Sequence, residues 1–192
     1  YHSAKDSKEA SKLASSNSAF LAGGMTTIPS MKLGLATYKD LIDIKNIKKL
    51  SGIKVSGKSV TIGAATKHVE VSNSKDVKKA IPSLSSLAEG IGDPQVRNRG
   101  TIGGSIANND PAADYPSACL ALNSIIHTNK RKIPADKFFK GMFETELKKG
   151  ELIEAIEFEV PEKSSYAKFP NPASRYAIVG VYVAKLKKEV RV

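Results

Sequence analysis

The sequence has few of the residues that build metal clusters, disulfides or aromatic surfaces. Its 192 residues include one cysteine, Cys119, and no tryptophan, and aromatic residues make up 6%. One cysteine excludes an internal disulfide framework and a cysteine-rich zinc or iron–sulfur site built by this chain alone. No apolar stretch approaches the ~20 residues of a membrane-spanning helix, and no apolar segment after a basic start indicates a signal peptide. These absences favour a soluble protein of a reducing compartment, and we expect a cytoplasmic location without a membrane span.

Arginine is also scarce, although the net charge is strongly positive. The net charge is +11, and of 30 basic residues only five are arginine. The lysine doublets are scattered along the chain, whereas the reading of bases favours arginine on an ordered basic face and stacking aromatic residues. We therefore interpret the charge as a solvated, lysine-rich surface and predict no nucleic-acid partner.

The hydrophobic pattern predicts a mixed fold of the α+β class. Helical and alternating apolar periods recur along the chain, separated by Gly, Pro and Asn turn signals. The predicted helices are 7–16, 26–35, 66–91 with breaks near Asn73 and Pro82, and 110–122, which Asp110 and Pro111 would open. The predicted strands are 19–22, 41–44, the hairpin 53–62, 124–128, 151–160, 166–169 and 177–184. Strand 19–22, helix 26–35 and strand 41–44 form a compact βαβ unit.

The last residues indicate a sheet that continues. Residues 177–184 are patterned as a buried strand, Lys187 and Lys188 mark a turn, and Val190 begins another alternating segment. We expect a fragment whose missing part follows mostly after Val192. The strand 177–186 would then pair with a second copy or lie on the middle of the chain to cover its edge.

Two glycine pairs are the features with the clearest chemical meaning. Gly23-Gly24 is followed by Thr26, and Gly103-Gly104 is followed by Ser105. Successive glycines can adopt positive φ, so their amides form a concave nest that binds phosphate oxygens. Two nests could hold the diphosphate of a dinucleotide, although tight turns would produce the same pattern. A Rossmann site and a P-loop are disfavoured because neither motif is present.

The polar residues show no catalytic set. Asp110 is interpreted as a helix cap, and Asp114 is either a solvated carboxylate or an acceptor for ribose hydroxyls. His2, His68 and His127 lack metal-ligand spacing, and His68 is expected on an exposed helix face. No metal site and no catalytic side chain are predicted.

The motifs around the glycine pairs resemble those of a known flavoprotein family. They are Leu21 to Pro29, Gly92 to Ser105 and Asp110 to Asp114, with further matches at 62–68, 138–145, 150–153 and 174–181. This sequence is similar to the FAD-binding medium subunit of molybdenum hydroxylases, most closely the carbon-monoxide-dehydrogenase type. Xanthine dehydrogenases carry the same module. Met25 and Ser105 depart from the residues common in the family, which affects the surroundings of the flavin more than the fold.

The resemblance implies a two-subdomain FAD-binding fold and a set of cofactor contacts. It divides the chain into an N-terminal FAD-binding subdomain (1–52), a middle FAD-binding subdomain (53–165) and the start of a truncated C-terminal domain (166–192). It places Asp114 on the ribose and adenine side, Leu152 or Ile153 near the adenine or ring system, and Tyr176 with Asn171 near the isoalloxazine. The implied FAD contacts are Leu21, Ala22, Gly23, Gly24, Met25, Thr26, Thr27, Ile28, Ile91, Gly92, Thr101, Ile102, Gly103, Gly104, Ser105, Asp114, Leu152, Ile153, Asn171 and Tyr176.

The same resemblance implies an electron-transfer function in a larger enzyme. The expected partners are a molybdopterin-binding large subunit and a small subunit with [2Fe-2S] clusters. Bound FAD would take electrons from the clusters and pass them to an external acceptor. The alternative is a non-catalytic dinucleotide-binding or scaffold protein, and a basic nucleic-acid binder is a third, weaker reading.

Overall fold

Residues 2–43 form a three-stranded parallel sheet with two short helices. The structure is a computed structural model that describes all 192 residues. The elements are β1 (His2–Ser3), α1 (Ser7–Leu13), β2 (Ser18–Leu21), α2 (Thr27–Lys32) and β3 (Asp40–Asp43). The central strand β3 pairs in parallel with both β1 and β2. The predicted βαβ unit is therefore confirmed, and β1 adds a strand that the sequence pattern did not indicate.

The middle of the chain forms a five-stranded antiparallel sheet covered by helices. After a 3-10 turn (Lys48–Leu50), its elements are β4 (Ile53–Ser56), β5 (Ser59–Gly63), α3 (His68–Asn73), α4 (Lys75–Ala80), α5 (Pro82–Glu89), α6 (Pro94–Arg97), α7 (Ile102–Asn108), α8 (Tyr115–Ala121), β6 (Ile125–Thr128), β7 (Lys132–Pro134), α9 (Ala135–Phe138), β8 (Phe139–Gly141), β9 (Glu144–Thr145) and β10 (Ile153–Glu159). The strand order is β4-β5-β10-β6-β7, and β8 and β9 form a separate hairpin. The predicted helical breaks at Asn73 and Pro82 are confirmed, since Asn73 ends α3 and Pro82 begins α5. No helix of the chain has the length and apolar character that a membrane span needs.

The last sheet packs with one face against this middle region. It consists of β11 (Lys163–Pro170), β12 (Ala177–Lys185) and β13 (Val190–Arg191), all antiparallel. Tyr182 and Ala184 are buried in the core of the five-stranded sheet, whereas Val179, Val181 and Val183 are exposed. The prediction of a buried strand is thus wrong for one face, because α5 and α8 cover only the other. That β12 lies on the middle of the chain agrees with one of the two predicted alternatives.

Two hydrophobic clusters hold these layers together. The larger has 26 buried residues and includes Tyr182 of the last sheet. The smaller has eight and joins the N-terminal sheet to the middle region through Ala65 and Leu152. The division of the chain at residues 52 and 165 stays a prediction, and residue 165 falls inside β11.

The helix predicted from Asp110 begins later than expected. The carboxylate of Asp110 accepts a hydrogen bond from the Ala112 N–H at 2.9 Å, which makes a turn rather than a helix start. Helix α8 begins at Tyr115, with Asp114 in the N-cap position and Pro116 in its first turn. Asp114 therefore lies at the entry of this helix and not inside it, which matters for function.

Gly103 belongs to a close contact between α7 and the end of β5. Its N–H donates to the Ala64 carbonyl at 2.9 Å. A Cβ at this position would lie 2.5 Å from the Ala64 Cβ and 2.6 Å from the Ala64 carbonyl oxygen. Glycine is therefore required here by packing inside the protein.

We predict that Gly103→Ala destabilises the chain while Gly90→Ala does not. The new methyl group of Gly103→Ala overlaps backbone, which costs about 1–3 kcal/mol of unfolding free energy. At Gly90, the C-cap of α5, a Cβ would have no neighbour closer than 3.5 Å. Urea unfolding of both variants measures the difference. Equal stabilities for the two variants would contradict the packing role of Gly103.

Candidate cofactor-binding site

A cavity of about 380 Å³ lies where three segments of the chain meet. The first segment runs from the end of β2 into α2 and contributes Phe20 and residues 22–27. The second runs from Ile91 to Asp114 and includes α6 and α7, with His68 of α3 beside it. The third is the turn between β11 and β12, residues 174–176. The cavity is therefore built by all three parts of the fold, and no single sheet contains it.

The first glycine pair brings the end of β2 against the second segment. A Cβ at Gly23 would overlap the carbonyl oxygen of Arg99 and stand 2.8 Å from the Gly100 Cα. Gly24 has φ +75°, a left-handed conformation that favours glycine. The chain then turns into α2, and the Gly24 carbonyl accepts the Ile28 N–H at 3.1 Å. This arrangement leaves Gly23 and Gly24 on the cavity wall.

The second glycine pair is helical, so the prediction of a second positive-φ nest is wrong. Ile102 and Gly103 donate their N–H groups to the carbonyls of Thr66 and Ala64 at 3.1 and 2.9 Å. The Gly104 N–H donates to the Thr101 hydroxyl at 3.1 Å, so Thr101 caps α7. The pair therefore contributes a helix start rather than an amide nest, with Gly104 and the half-buried Ser105 facing the cavity.

Most of the residues named from the resemblance line this cavity. They are Ala22, Gly23, Gly24, Met25, Thr26, Thr27, Ile91, Gly92, Thr101, Gly104, Ser105, Asp114 and Tyr176. Seven others do not line it: Leu21, Ile28, Ile102, Gly103, Leu152, Ile153 and Asn171. Of these, Leu152 and Ile153 are 2% and 5% exposed and belong to the two hydrophobic clusters.

Asp114 is buried and holds β11 against the cavity. Its carboxylate accepts a hydrogen bond from the Tyr166 hydroxyl at 2.5 Å and pairs with the Lys168 ammonium at 2.9 Å. Lys168 also donates to the Gly90 carbonyl at 3.1 Å. Burial and the hydrogen bond to Asp114 raise the pKa of Tyr166 well above its usual range. The solvated alternative for Asp114 is therefore wrong, and the residue is the centre of a buried charged network.

The turn between β11 and β12 is organised by Asn171. Its side-chain oxygen accepts the N–H groups of Ala173 and Ser174 at 2.9 and 3.1 Å. Its own N–H donates to the Tyr176 carbonyl at 2.8 Å, and Arg175 adopts φ +61°. This geometry directs Ser174, Arg175 and Tyr176 to the cavity, although Asn171 stays outside it.

Burial and two nearby carboxylates raise the pKa of Tyr176 in this turn. Burial raises the pKa of Tyr176, and the negative charges of Asp110 and then Asp114 raise it further. Asp110 itself lines the cavity and is half-buried. The phenol is therefore neutral and able to donate a hydrogen bond at this end of the cavity.

His68 is buried at the cavity, and its predicted exposed position is wrong. It is 5% exposed and begins α3, and its backbone N–H donates to the Gly100 carbonyl at 3.0 Å. A β-bridge between Lys67 and Thr101 draws this helix start under the second segment. Burial, and then the charge of Arg97, lower the pKa of His68 to about 4, so the imidazole is neutral at pH 7.

Sequence reasoning missed several other lining residues. They are Phe20, Val96, Gly100, Ala107, Asn108, Ala113, Ser174 and Arg175. Most are small or apolar and carry no chemical signal in the sequence. Five of them, Val96, Gly100, Ala113, Ser174 and Arg175, lie inside the motifs that carry the family resemblance, and those motifs could have identified them. No group of three or more His, Cys, Asp or Glu side chains in the structure could hold a metal ion.

A comparison of the sequence with protein families decides the family. Residues 1–162 match the model described as the FAD binding domain in molybdopterin dehydrogenase. The chain belongs to this family. The predicted family, its mixed FAD-binding fold and FAD as its cofactor are thereby confirmed.

Two relatives of this FAD-binding domain are named as medium chains of dehydrogenases. The glyceraldehyde dehydrogenase medium chain of Sulfolobus acidocaldarius is 40% identical over 174 residues, which cover 87% of this chain and 62% of that one. The carbon monoxide dehydrogenase medium chain of Hydrogenophaga pseudoflava is 37% identical over 199 residues, which cover 97% and 69%. The chain spans about two thirds of the length of these relatives.

A solved structure supports the same fold. It is carbon monoxide dehydrogenase from Hydrogenophaga pseudoflava, in a form that lacks the Mo-pyranopterin moiety of the molybdenum cofactor. It matches with a TM-score of 0.91 and 37% identity, covering 95% of this chain and 67% of that one. The FAD-binding domain therefore keeps the family fold over nearly its whole described length.

We predict that the buried His68 makes the chain less stable as the pH falls from about 6.5 to about 4. In this window the unfolded chain binds a proton on His68 that the folded chain does not, so the unfolding free energy declines with falling pH. Above pH 6.5 His68 is neutral in both the folded and the unfolded chain, so this residue no longer makes the unfolding free energy depend on pH.

Urea unfolding of wild type and His68→Phe between pH 4 and 7 measures this effect. We expect the wild type to lose about 2–3 kcal/mol more than the variant over the window, from the size of the pKa shift. Parallel curves for the two proteins would show that His68 is not buried in its neutral form. The other two histidines are common to both proteins and cancel in the difference.

Proposed function

We propose that this domain carries FAD for electron transfer within a multi-subunit, molybdenum-dependent hydroxylase or dehydrogenase. The observation that carries the proposal is the cavity between the three segments, which contains most of the residues that the family resemblance assigns to FAD. The resemblance to a carbon monoxide dehydrogenase medium chain supports an enzyme of that type.

The cavity wall has the chemistry that a dinucleotide requires. Gly23, Gly24, Gly92, Gly100 and Gly104 line it, so backbone can approach a ligand closely on both sides. Hydroxyl groups of Thr26, Thr27 and Ser105 stand beside these glycines and can donate hydrogen bonds to phosphate oxygens. The residues present therefore fit FAD.

Each segment would hold a different part of the cofactor. Residues 22–27 and 100–105 would flank the diphosphate, as both glycine segments face the same cavity. Tyr176 offers an aromatic face and a hydroxyl for the ring system, and Gly92 with Ile91 would border it. The Arg97 guanidinium donates to the carbonyls of Ile91 and Gly92 at 3.1 and 2.9 Å, which fixes this border.

The chemistry that FAD supplies when bound is electron transfer, from iron–sulfur clusters on a partner to an external acceptor. The chain supplies binding, orientation and electrostatic surroundings, and no acid or base pair is needed. Its one cysteine, Cys119, is fully buried, and burial raises the pKa of its thiol to about 12. The clusters and the molybdenum cofactor would therefore reside on a small [2Fe-2S] subunit and a large molybdopterin-binding subunit.

We predict that the chain binds one FAD per molecule. Purified chain, stripped of flavin, is titrated with FAD, FMN and riboflavin while flavin fluorescence is followed. We expect FAD to bind tighter than FMN by at least tenfold, because only FAD bridges the segments around residues 22–27 and 100–105. Absence of FAD binding, or equal affinity for FMN, would contradict the proposal.

The electron-transfer role is tested in the complex. The chain is co-purified with the proposed small and large partner subunits, and reduction of its flavin is followed after addition of candidate substrates of the holoenzyme. Flavin reduced only when the cluster-bearing subunit is present supports the proposed route. A flavin that stays oxidised while the rest of the complex turns over would contradict electron transfer and would support a non-catalytic dinucleotide-binding role.

We predict that Gly24→Ala weakens FAD binding and that Gly34→Ala does not. Both glycines have left-handed φ, +75° and +71°, so alanine costs each about 1–2 kcal/mol of backbone strain. Gly24 lines the cavity, whereas Gly34 has no atom within 4 Å of a Cβ and lies outside it. We expect Gly24→Ala to lower FAD affinity by roughly tenfold or more, since strain there moves the wall. Equal FAD affinities in the two variants would show that Gly24 does not contribute to FAD binding.

A further inference from the structure

The segment between α5 and α6 is held by two cationic side chains. The Lys168 ammonium donates to the Gly90 carbonyl at 3.1 Å, and Nη1 of Arg97 donates to the next two carbonyls, of Ile91 and Gly92, at 3.1 and 2.9 Å. Ile91 and Gly92 line the cavity, whereas neither cationic side chain does. The two positive charges therefore contact this wall from outside the cavity.

Only one of these two charges is neutralised. The Lys168 ammonium pairs with the buried carboxylate of Asp114 at 2.9 Å. Arg97 is half-buried and has no carboxylate oxygen within 4 Å, whereas the guanidinium groups of Arg131 and Arg191 both pair with carboxylates. The wall of residues 91 and 92 is thus held by a cation whose charge no carboxylate offsets.

The other charged groups at the cavity do not offset the charge of Arg97 either. Asp110 and Arg175 line the cavity and carry opposite charges. His68 also lines it, and burial, followed by the charge of Arg97, lowers the pKa of this residue to about 4. The imidazole is neutral at pH 7, and its response indicates that the charge of Arg97 acts inside the cavity.

The contact of Arg97 also orients a peptide group. The chain has no cis peptide bond, so each N–H points opposite to the carbonyl of the preceding residue. Because the Ile91 carbonyl accepts from Arg97, the Gly92 N–H is directed away from the guanidinium, and it has no acceptor in the chain. The positive end of this peptide dipole is therefore free beside the cavity that Gly92 lines.

A positive wall distinguishes the two oxidation states of a flavin. The oxidised ring is neutral, and adding two electrons and one proton to it produces an anion. A nearby cation attracts the anion and has little effect on the neutral ring. In the proposed function the electrons come from iron–sulfur clusters on a partner. A charge next to the ring is one of the means by which a protein sets the potential of its cofactor.

We propose that Arg97 is a positioning residue that raises the reduction potential of bound FAD by holding an uncompensated positive charge against the Ile91–Gly92 wall. The inference rests on the proposed function, in which this wall borders the flavin ring. It adds a residue that lies outside the cavity and is not one of the FAD contacts that the resemblance implies. It also gives a reason for an unpaired, half-buried arginine at this position.

The decisive comparison is Arg97→Gln against Arg97→Lys. Glutamine keeps an NH₂ group that can donate two hydrogen bonds but has no charge, and lysine keeps the charge. The midpoint potential of bound FAD is measured by anaerobic dithionite titration against a reference dye at fixed pH. We expect Arg97→Gln to lower the potential by about 30 mV, which corresponds to tenfold weaker binding of reduced relative to oxidised FAD. Arg97→Lys should stay near the wild-type value.

Lys78→Gln is the matched control for the loss of one positive charge. Lys78 is exposed on α4 and lies outside the cavity, so we expect its variant to keep the wild-type potential. Arg97→Met is a second uncharged variant, and urea unfolding establishes which variants fold. Failure of both uncharged variants to fold, while Arg97→Lys folds, would make the charge a requirement of the fold and overturn the inference.

The outcomes separate this inference from the proposed function. A potential of Arg97→Gln equal to that of wild type, or an equal fall in Lys78→Gln, would overturn the role of Arg97 and leave the cofactor site intact. An equal fall in Arg97→Lys would assign the effect to the shape of the guanidinium and also overturn it. Equal loss of affinity for oxidised and reduced FAD would make the residue structural. Wild-type chain that binds no FAD would instead refute the proposed function.

Discussion

The backbone contact between Gly23 and the Arg99–Gly100 peptide is the constraint on which the site depends. It joins the carboxyl end of a strand in the parallel N-terminal sheet to the segment that precedes α7. Any side chain at Gly23 would separate the two segments, because its Cβ would overlap a carbonyl group. The cavity exists because these two segments meet at this point and diverge on either side of it.

Glycines also allow close packing between the layers further along the chain. A Cβ at Gly63 would strike the Leu50 carbonyl, and one at Gly103 would strike Ala64. Glycines thus act here as packing residues that let backbone meet backbone across element boundaries. The close packing limits how the middle sheet, α7 and the N-terminal sheet can be arranged. The third wall is held differently, by the buried Asp114–Lys168 pair and the Tyr166 hydroxyl, which tie β11 to the start of α8.

Sequence patterns predicted those features that depend on neighbours along the chain. The βαβ unit, the hairpin 53–62 and the helix breaks at Asn73 and Pro82 follow from local periodicity and turn residues. The glycine motifs located both main walls of the cavity, and the family resemblance indicated FAD as the cofactor. Features that depend on distant contacts were predicted wrongly. His68 is buried because Lys67 bridges Thr101, and Val181 is exposed because no helix covers that face of β12.

The second glycine pair shows why a motif and its geometry must be separated. The sequence T-I-G-G-S does lie at the cavity, yet three of its amides are engaged by Thr66, Ala64 and the Thr101 hydroxyl. Its glycines have ordinary helical φ, and the reason for Gly103 is the proximity of Ala64. A motif can therefore identify a binding segment correctly while the assumed physical reason for its residues is wrong.

Several locally unfavourable features lie at the cavity, and others lie away from it, such as the left-handed φ of Asn109, Asn123 and Phe143. At the cavity, Arg175 has left-handed φ, Asp114 and Lys168 form a buried ion pair, and His68 has an unpaired ring nitrogen. Each lowers the stability of the unliganded chain, and residues selected for folding alone would avoid them. A ligand that contacts all three walls would offset several of these costs together, so binding and ordering of the cavity are coupled in this fold.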